Sequence, residues 1–198
     1  MKNKRVKQIA YIGVFSALAT VAMLFKVPVP WAPAFYKLEL SEVVCLVGGY
    51  LLGAPAALAI EIIKILINFL IDGTTTAGVG ELSNLLMGCS FVIPATIIYR
   101  RRKNMVEAIM GVVVGTVCLA VSSCLLNYFV LIPMYATLFG TSVEAIVGMG
   151  KVIFPSINNL WSFVLTCVLT FNIVKGLMSS ILGLLLFKAI PDRIKNTL

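Results

Sequence analysis

The side chains of this 198-residue chain that could do chemistry are few, and most of them lie within or beside long apolar runs. Asn172 and Lys175 are three residues apart, which places both on one face of a helix. Asn127 lies in another apolar run. An ionisable group inside a membrane helix is costly and is by default a sign of function, and amides beside aromatic rings suit a planar heterocycle with a polar edge. We therefore expect these three residues to bind a ligand of that kind.

Glu61 and Lys64 form a second pair of ionisable residues, and their spacing allows an ion pair within one helix. One interpretation is a structural pair that neutralises two buried charges. The alternative is a proton or ion relay, which would need further titratable partners. The sequence identifies no such partners, so the structural pair is favoured.

Several kinds of chemistry are excluded by residues that the sequence lacks. Histidine is absent, which rules out histidine-based acid–base catalysis, histidine-containing triads and histidine metal sites. The five cysteines lack CxxC spacing and lie in apolar stretches, so we interpret them as small packing residues. Neither a GxxxxGKS/T phosphate loop nor an HExxH, GxSxG or paired-aspartate signature occurs. We expect no catalytic residues, no metal and no cofactor, and the chain cannot itself be an ATPase.

The composition indicates that the chain resides in a lipid bilayer. Apolar and aromatic residues make up 60% of it and charged residues only 12%, with a mean hydropathy of +1.04. Soluble domains usually have about 45–50% and about 25%, respectively. The net charge of +8 comes from basic clusters between apolar runs, a pattern that orients membrane proteins. We therefore expect no nucleic-acid partner.

The elements that must position the polar residues are membrane helices. The first part of the chain has apolar runs at 9–25 and 82–99, and a longer one that is interrupted at Gly53-Ala-Pro55. If the basic cluster 100–103 lies in the cytoplasm like the basic N-terminus, an even number of crossings must separate them. The long run is therefore predicted to be two helices, at 43–54 and 55–71.

The same charge rule applies to the second part, because Lys188, Arg193 and Lys195 place the C-terminus in the cytoplasm. Two further helices are predicted, at 105–130 and 171–187. The segment 131–170 is predicted to be an outer re-entrant or interfacial piece. The sequence therefore predicts a single all-α domain over 1–198, a polytopic membrane protein with six transmembrane helices and both termini in the cytoplasm.

The first helix carries a face of small residues, which permits close approach of another helix. Its members are Ala10, Gly13 and Ala17, and also Ser16. Such a face serves either packing within the bundle or docking of a partner subunit, and the sequence alone leaves both open.

Four stretches resemble the riboflavin-binding S component family of energy-coupling factor (ECF) vitamin transporters. They are YKLELSE at 36–42, GVGELSN at 78–84, NYFVLIPMY at 127–135 and FNIVKG at 171–176. The resemblance extends from the first helix to the last. It implies a cell-membrane protein that captures riboflavin from outside. It also implies a separate transmembrane T component and two cytoplasmic ATPase subunits as partners.

The resemblance also implies roles for individual residues. The expected ligand-binding residues are Asn127, Asn172, Lys175, Tyr36, Leu38, Leu40, Gly80 and Glu81. The small-residue face of the first helix is expected to dock the T component. Two other functions stay open from the residues themselves. One is capture of a different heterocyclic vitamin, and the other is a self-sufficient ion-coupled carrier that uses Glu61 and Lys64.

Overall fold

The structure is a computed structural model that describes residues 2–191 and 195, with side chains from residue 5 onward. Arg193 and the side chains of the first basic residues therefore lie outside the described residues. The helices are α1 (Lys2–Leu24), α2 (Ser41–Leu52), α3 (Ala54–Asp72), α4 (Val79–Arg102), α5 (Met105–Leu126), α6 (Ile132–Leu138), α7 (Val143–Ile153), α8 (Leu160–Phe163) and α9 (Leu169–Ala189). Residues 25–40, here called loop 1, contain the antiparallel strands β1 (Val27–Pro28) and β2 (Lys37–Leu38).

The chain is a multi-pass, largely helical membrane protein. Within the described residues, five helical runs are long and apolar enough to cross a membrane, at 5–24, 54–72, 79–102, 105–138 and 160–189. The helix α2 is apolar but shorter, with 12 residues. Gly53 separates α2 from α3 at a positive φ of 99°, a conformation that favours glycine, so the predicted division of this run into two helices is confirmed.

The prediction for the segment 131–170 was wrong. The fifth predicted helix does not end at 130, because α5 continues through a π-helical turn at Asn127–Leu131 into α6. The last helical run begins at Leu160 rather than at 171, where Asn159 and Ser162 form a reciprocal capping box. Only residues 139–159 lie between the two runs, and they contain α7.

The helices α4 and α5 pack closely because two glycines of α5 leave room for the backbone of α4. A Cβ atom at Gly111 would lie 2.5 Å from the carbonyl oxygen of Ala95, and one at Gly115 would lie 2.6 Å from that of Phe91. This is the spacing of a GxxxG motif, which lets membrane helices approach closely. This motif was not predicted from the sequence.

Candidate ligand-binding site

A pocket lies at the end of the bundle that carries loop 1, with an empty volume of about 540 Å³ that includes space open to solvent. Loop 1, the start of α4, the π turn after α5, α6 and α9 all contribute to its walls. The lining residues are Phe35, Tyr36, Lys37, Gly80, Ser83, Asn84, Met87, Asn127, Tyr135, Phe171, Asn172 and Lys175.

Aromatic rings from three separate segments form a continuous wall of this pocket. The ring centroid of Phe35 lies 4.7 Å from that of Tyr36 and 5.3 Å from that of Tyr135 on α6. The Tyr36 ring lies 5.1 Å from that of Phe171 on α9. These separations are typical of favourable aromatic pairs. Loop 1 is thereby held against both α6 and α9.

Two asparagines provide the amides of the pocket, and each is oriented by its own helix. Asn127 Nδ2 donates to the carbonyl oxygen of Ser123, and Asn172 Nδ2 donates to that of Val168, both at 2.9 Å. The Oδ1 atom of Asn127 accepts a hydrogen bond of 2.9 Å from the hydroxyl of Tyr36. Both amides are buried. The side chains are therefore fixed before any ligand binds.

Both amides lie next to π-helical turns. In the first turn the N–H of Ile132 bonds to the carbonyl of Asn127, five residues earlier. In the second, at Val164–Val168, the N–H of Leu169 bonds to the carbonyl of Val164. Pro133 follows the first turn near the start of α6, and because it lacks an N–H it cannot donate a backbone hydrogen bond there. Such turns are frequent at functional sites.

Lys175, the charged residue of the pocket, is paired with acidic residues near the start of α2. Its Nζ lies 2.9 Å from Glu39 Oε1 and 3.6 Å from Glu42 Oε1. Both Lys175 and Glu39 are buried. Burial alone would raise the pKa of Glu39, but the charges of Lys175 and Lys64 hold this pKa well below its usual range. Glu39 is therefore an ionised partner of Lys175.

The predicted ion pair of α3 is present, but it belongs to a larger group. Lys64 Nζ lies 2.8 Å from Glu61 Oε2 and 2.9 Å from Glu42 Oε1. Since Glu42 also faces Lys175, the pair is connected to the ligand pocket. We call Glu39, Glu42, Glu61, Lys64 and Lys175 the ionic cluster. The further titratable residues near Glu61 and Lys64, which could not be identified from the sequence, are Glu39 of loop 1, Glu42 of α2 and Lys175 of α9.

The structure brings five of the predicted ligand-binding residues together at the pocket: Tyr36, Gly80, Asn127, Asn172 and Lys175.

The other three predicted residues do not line it. Leu38 lies in β2 and packs against the hydrophobic core, whereas Leu40 is exposed just before α2. Glu81 accepts hydrogen bonds from Thr74 and Thr76 and lines a neighbouring cavity.

Of the four rings in the aromatic wall, only Tyr36 was predicted from the sequence to bind the ligand. Tyr135 lies in the segment 131–170 that was predicted to be an outer piece, and Phe35 lies next to the predicted residue Tyr36 in loop 1. Phe171 precedes Asn172 directly, and this adjacency is the signal that could have found it. Glu39 was not predicted as a site residue, because its pairing with Lys175 depends on a contact between residues far apart in the sequence.

The small-residue face of α1 lies on the surface. Ala10, Gly13 and Ala17 are exposed, and a Cβ atom placed on Gly13 would meet no described atom within 4 Å. Ser16, at the edge of this face, is buried within the bundle. For Ala10, Gly13 and Ala17, packing within the bundle is therefore wrong, and these three residues are free to contact another molecule.

The fold and the pocket define a membrane-embedded protein that binds a small molecule at one end of a helical bundle. Residues 7–187 match the family model for the substrate-specific component of ECF transporters, and the chain belongs to this family.

Curated relatives and a solved structure agree with this assignment. The chain is 30% identical to the riboflavin transporter RibU of Staphylococcus aureus (strain TCH60), over 96% of this chain and 93% of that protein. It is 24% identical to the riboflavin transporter FmnP of Bacillus subtilis (strain 168), over 92% and 91%. The fold matches the structure of the S component of a bacterial ECF transporter with a TM-score of 0.73 and 29% identity, over 98% of both chains.

Proposed function

We propose that this chain captures riboflavin at the outer face of the cell membrane as the S component of an ECF transporter. A separate T component and two cytoplasmic ATPase subunits then drive its import. The chain itself performs no chemistry on the vitamin and needs no cofactor, because riboflavin is its cargo. The names of the curated relatives support this substrate.

The observation that carries the proposal is the composition of the pocket. The isoalloxazine ring of riboflavin is planar and apolar on its faces, with nitrogen and carbonyl groups along one edge. Aromatic rings of loop 1, α6 and α9 would pack on the faces. Asn127, Asn172 and Lys175 would bind the polar edge, with Gly80 beside it on α4.

The proposed topology has six spans and places both termini in the cytoplasm. The helix α2 is the short span, and α3 returns the chain across the bilayer. Four crossings then separate the basic N-terminus from Arg100–Lys103, which places both on the cytoplasmic side. Loop 1 and the pocket lie at the opposite, outer end.

The first experiment is a binding assay with purified protein. Protein made in riboflavin-containing medium should be yellow, with the flavin fluorescence quenched by the aromatic wall. After removal of the bound flavin, titration should show tight binding of riboflavin and none of thiamine or biotin. Tight binding of another vitamin in place of riboflavin would contradict the proposed substrate.

The second experiment tests the site with a double variant. Asn172→Ala/Lys175→Ala should lose most of its riboflavin affinity while it keeps its helical circular dichroism. The matched control is Asn158→Ala/Lys151→Ala, which changes the same residue types at exposed positions near α7. Wild-type affinity in the Asn172→Ala/Lys175→Ala protein would show that riboflavin binds elsewhere.

A further inference from the structure

The charges of the ionic cluster do not balance. Three carboxylates, of Glu39, Glu42 and Glu61, face two ammonium groups, of Lys64 and Lys175, and each residue is at most 4% exposed. If every group were ionised, three negative charges and two positive charges would leave one uncompensated negative charge in the interior. Burial of an unpaired charge is far more costly than burial of a neutral pair.

The excess negative charge is located where two carboxylates converge. A Cβ atom at Gly88 of α4 would lie 2.6 Å from Glu61 Oε2 and 2.9 Å from each carboxylate oxygen of Glu42. The glycine therefore leaves room for both carboxylates on one side of α4. Two ionised carboxylates so close together repel each other strongly, and the ionised pair is stable only with a compensating charge.

Glu42 Oε1 accepts a hydrogen bond from Lys64 Nζ, but the other three oxygens of the two carboxylates lack a donor in the described part of the chain. No nitrogen or oxygen donor among the described residues makes a hydrogen bond with Glu42 Oε2 or with either oxygen of Glu61. Lys64 lies 2.8 Å from Glu61 Oε2, but this ion pair does not have hydrogen-bond geometry. Buried acceptors that remain unpaired are rare in folded proteins and call for an occupant.

We propose that Glu42 and Glu61 together bind one proton, which they share as a buried acid–carboxylate pair. The proton provides the missing donor between the two side chains. It also brings the cluster to neutrality, with two negative charges against two positive charges. This site is held within the bundle and does not depend on the identity of the transported ligand.

A metal ion is the competing occupant, and the surroundings argue against it. The ligand atoms of Glu42, Cys45 and Glu61 lie within 4.8 Å of one another, which is close enough to coordinate a cation. However, the ammonium group of Lys64 lies 2.8–2.9 Å from both carboxylates and would repel a cation there. A proton fits between the carboxylates without displacing this lysine.

The other groups that face the pair leave its charge balance unchanged. Cys45 on α2 and Cys89 on α4 carry thiols, which are weak acids and add no charge at neutral pH. Thr20 of α1 donates a hydrogen bond to the carbonyl oxygen of Lys64 and carries no charge. Glu39 of loop 1 and Lys175 of α9 neutralise each other. The shared proton therefore belongs to Glu42 and Glu61.

The proposal predicts a pH dependence of stability with a definite sign. The folded protein would hold a proton that the unfolded chain releases above about pH 4.3, the ordinary pKa of glutamate. Stability should therefore fall as pH rises, with the unfolding equilibrium constant increasing about tenfold per pH unit until the folded protein loses the proton. Because the chain has no histidine, no side chain with an ordinary pKa titrates between about pH 5 and pH 8.

Infrared difference spectroscopy of the full chain in lipid nanodiscs tests the proposal directly. The wild type at neutral pH should show the C=O stretching band of a buried protonated carboxyl group, shifted in D₂O. Glu61→Gln and Glu42→Gln should each abolish the band, since two carboxylates then balance two lysines. Glu144→Gln, at a solvent-exposed position on α7, is the control that should keep it.

A second measurement needs only the wild-type protein and so does not depend on whether the variants fold. Its thermal midpoint should decrease as pH rises from about 5 to about 8. A constant or rising midpoint would overturn the proposal. So would absence of the infrared band in the wild type, or survival of the band in both glutamine variants. A stoichiometric metal ion in the purified protein would also overturn it. Riboflavin binding is measured on the same samples, so a failure of the proposed function would appear separately as loss of flavin binding with the band intact.

Discussion

The hydroxyl of Tyr36 donates a hydrogen bond of 2.9 Å to Oδ1 of Asn127, which joins loop 1 to the π turn that follows α5. Burial raises the pKa of Tyr36 well above its usual value, so the phenol remains protonated and can donate. The bond uses an amide acceptor of the proposed flavin site. A ligand that approaches Asn127 must therefore compete with a residue of the protein itself.

The first prediction concerns this competition. Tyr36→Phe removes the hydroxyl but keeps the ring that packs against Phe35 and Phe171. Riboflavin affinity should increase by about fivefold, because a competing hydrogen bond worth about 1 kcal/mol is lost from the ligand-free protein. Stopped-flow quenching of flavin fluorescence should also show faster association.

The control for this prediction is Tyr128→Phe, whose ring packs against Trp161 and does not line the pocket. It should leave both the affinity and the association rate unchanged. Weaker binding by Tyr36→Phe would instead mean that the hydroxyl contacts the ligand directly.

The amides and the lysine of the site could be predicted because their residue types are rare in apolar helices. The spacing of Asn172 and Lys175 already placed them on one face. The contribution of Tyr135 could not be predicted in the same way. A helix that ends at 130 leaves Tyr135 outside the bundle, whereas the helical run in the structure continues through the π turn at Asn127–Leu131 into α6 and brings this ring to the pocket.

The second prediction separates the structural role of Lys175 from its role in binding. Lys175→Met should destabilise the protein by about 3–5 kcal/mol, because the buried carboxylate of Glu39 loses its partner. The double variant Lys175→Met/Glu39→Gln removes both charges and should recover most of the thermal stability. Its riboflavin affinity should nevertheless stay low.

Thermal unfolding and flavin titration on the same samples check this prediction. Recovery of both properties in the double variant would show that Lys175 acts only through stability. Equal stability of the single and double variants would contradict the importance of the Lys175–Glu39 pair.

The third prediction follows from the pKa of Glu39, which is lower in the folded protein than in the unfolded chain. A lowered folded-state pKa contributes stability that is present above the unfolded value of about 4.3 and is lost as pH falls through the folded-state value. The thermal midpoint of the wild type should therefore fall on acidification below about pH 4.3. In Glu39→Gln this decrease should be smaller, and parallel curves for the two proteins would contradict the prediction.

The ionic cluster shows why part of the site was beyond sequence analysis. The spacing of Glu61 and Lys64 within one helix correctly predicted their pairing. Glu42 contacts the same lysine from another helix, and Lys175 approaches from the last one. Contacts between helices depend on how the bundle packs, and neither periodicity nor spacing along one helix contains that information.

The fourth prediction concerns the close packing of α4 and α5. Gly115→Val should destabilise the protein by about 1–3 kcal/mol, because its Cβ would lie 2.6 Å from the carbonyl oxygen of Phe91 and force the helices apart. Gly13→Val is the matched control, since it makes the same change in a helix where a Cβ meets no described atom within 4 Å. Thermal unfolding in detergent should show a midpoint below that of the wild type for Gly115→Val and an unchanged midpoint for Gly13→Val.

The fifth prediction concerns transport rather than binding. Ala17 is exposed on α1, four residues after Gly13, and together they form a shallow surface that another helix can approach closely. Ala17→Trp should leave riboflavin affinity unchanged, because the residue does not line the pocket. It should abolish riboflavin uptake in cells that also produce the T component and the ATPases, because the large ring prevents docking.

The control is Val113→Trp, which places the same ring on α5. Val113 is exposed in the wild type, with 57% of its surface accessible. If exposed positions of α5 face only lipid, this variant should bind riboflavin and support uptake. The comparison matters because any large residue could disturb insertion into the membrane, and both variants carry that risk equally. Normal uptake by Ala17→Trp would show that the T component docks elsewhere. Loss of uptake in both variants, with riboflavin binding retained, would mean that docking is not confined to the small-residue face of α1.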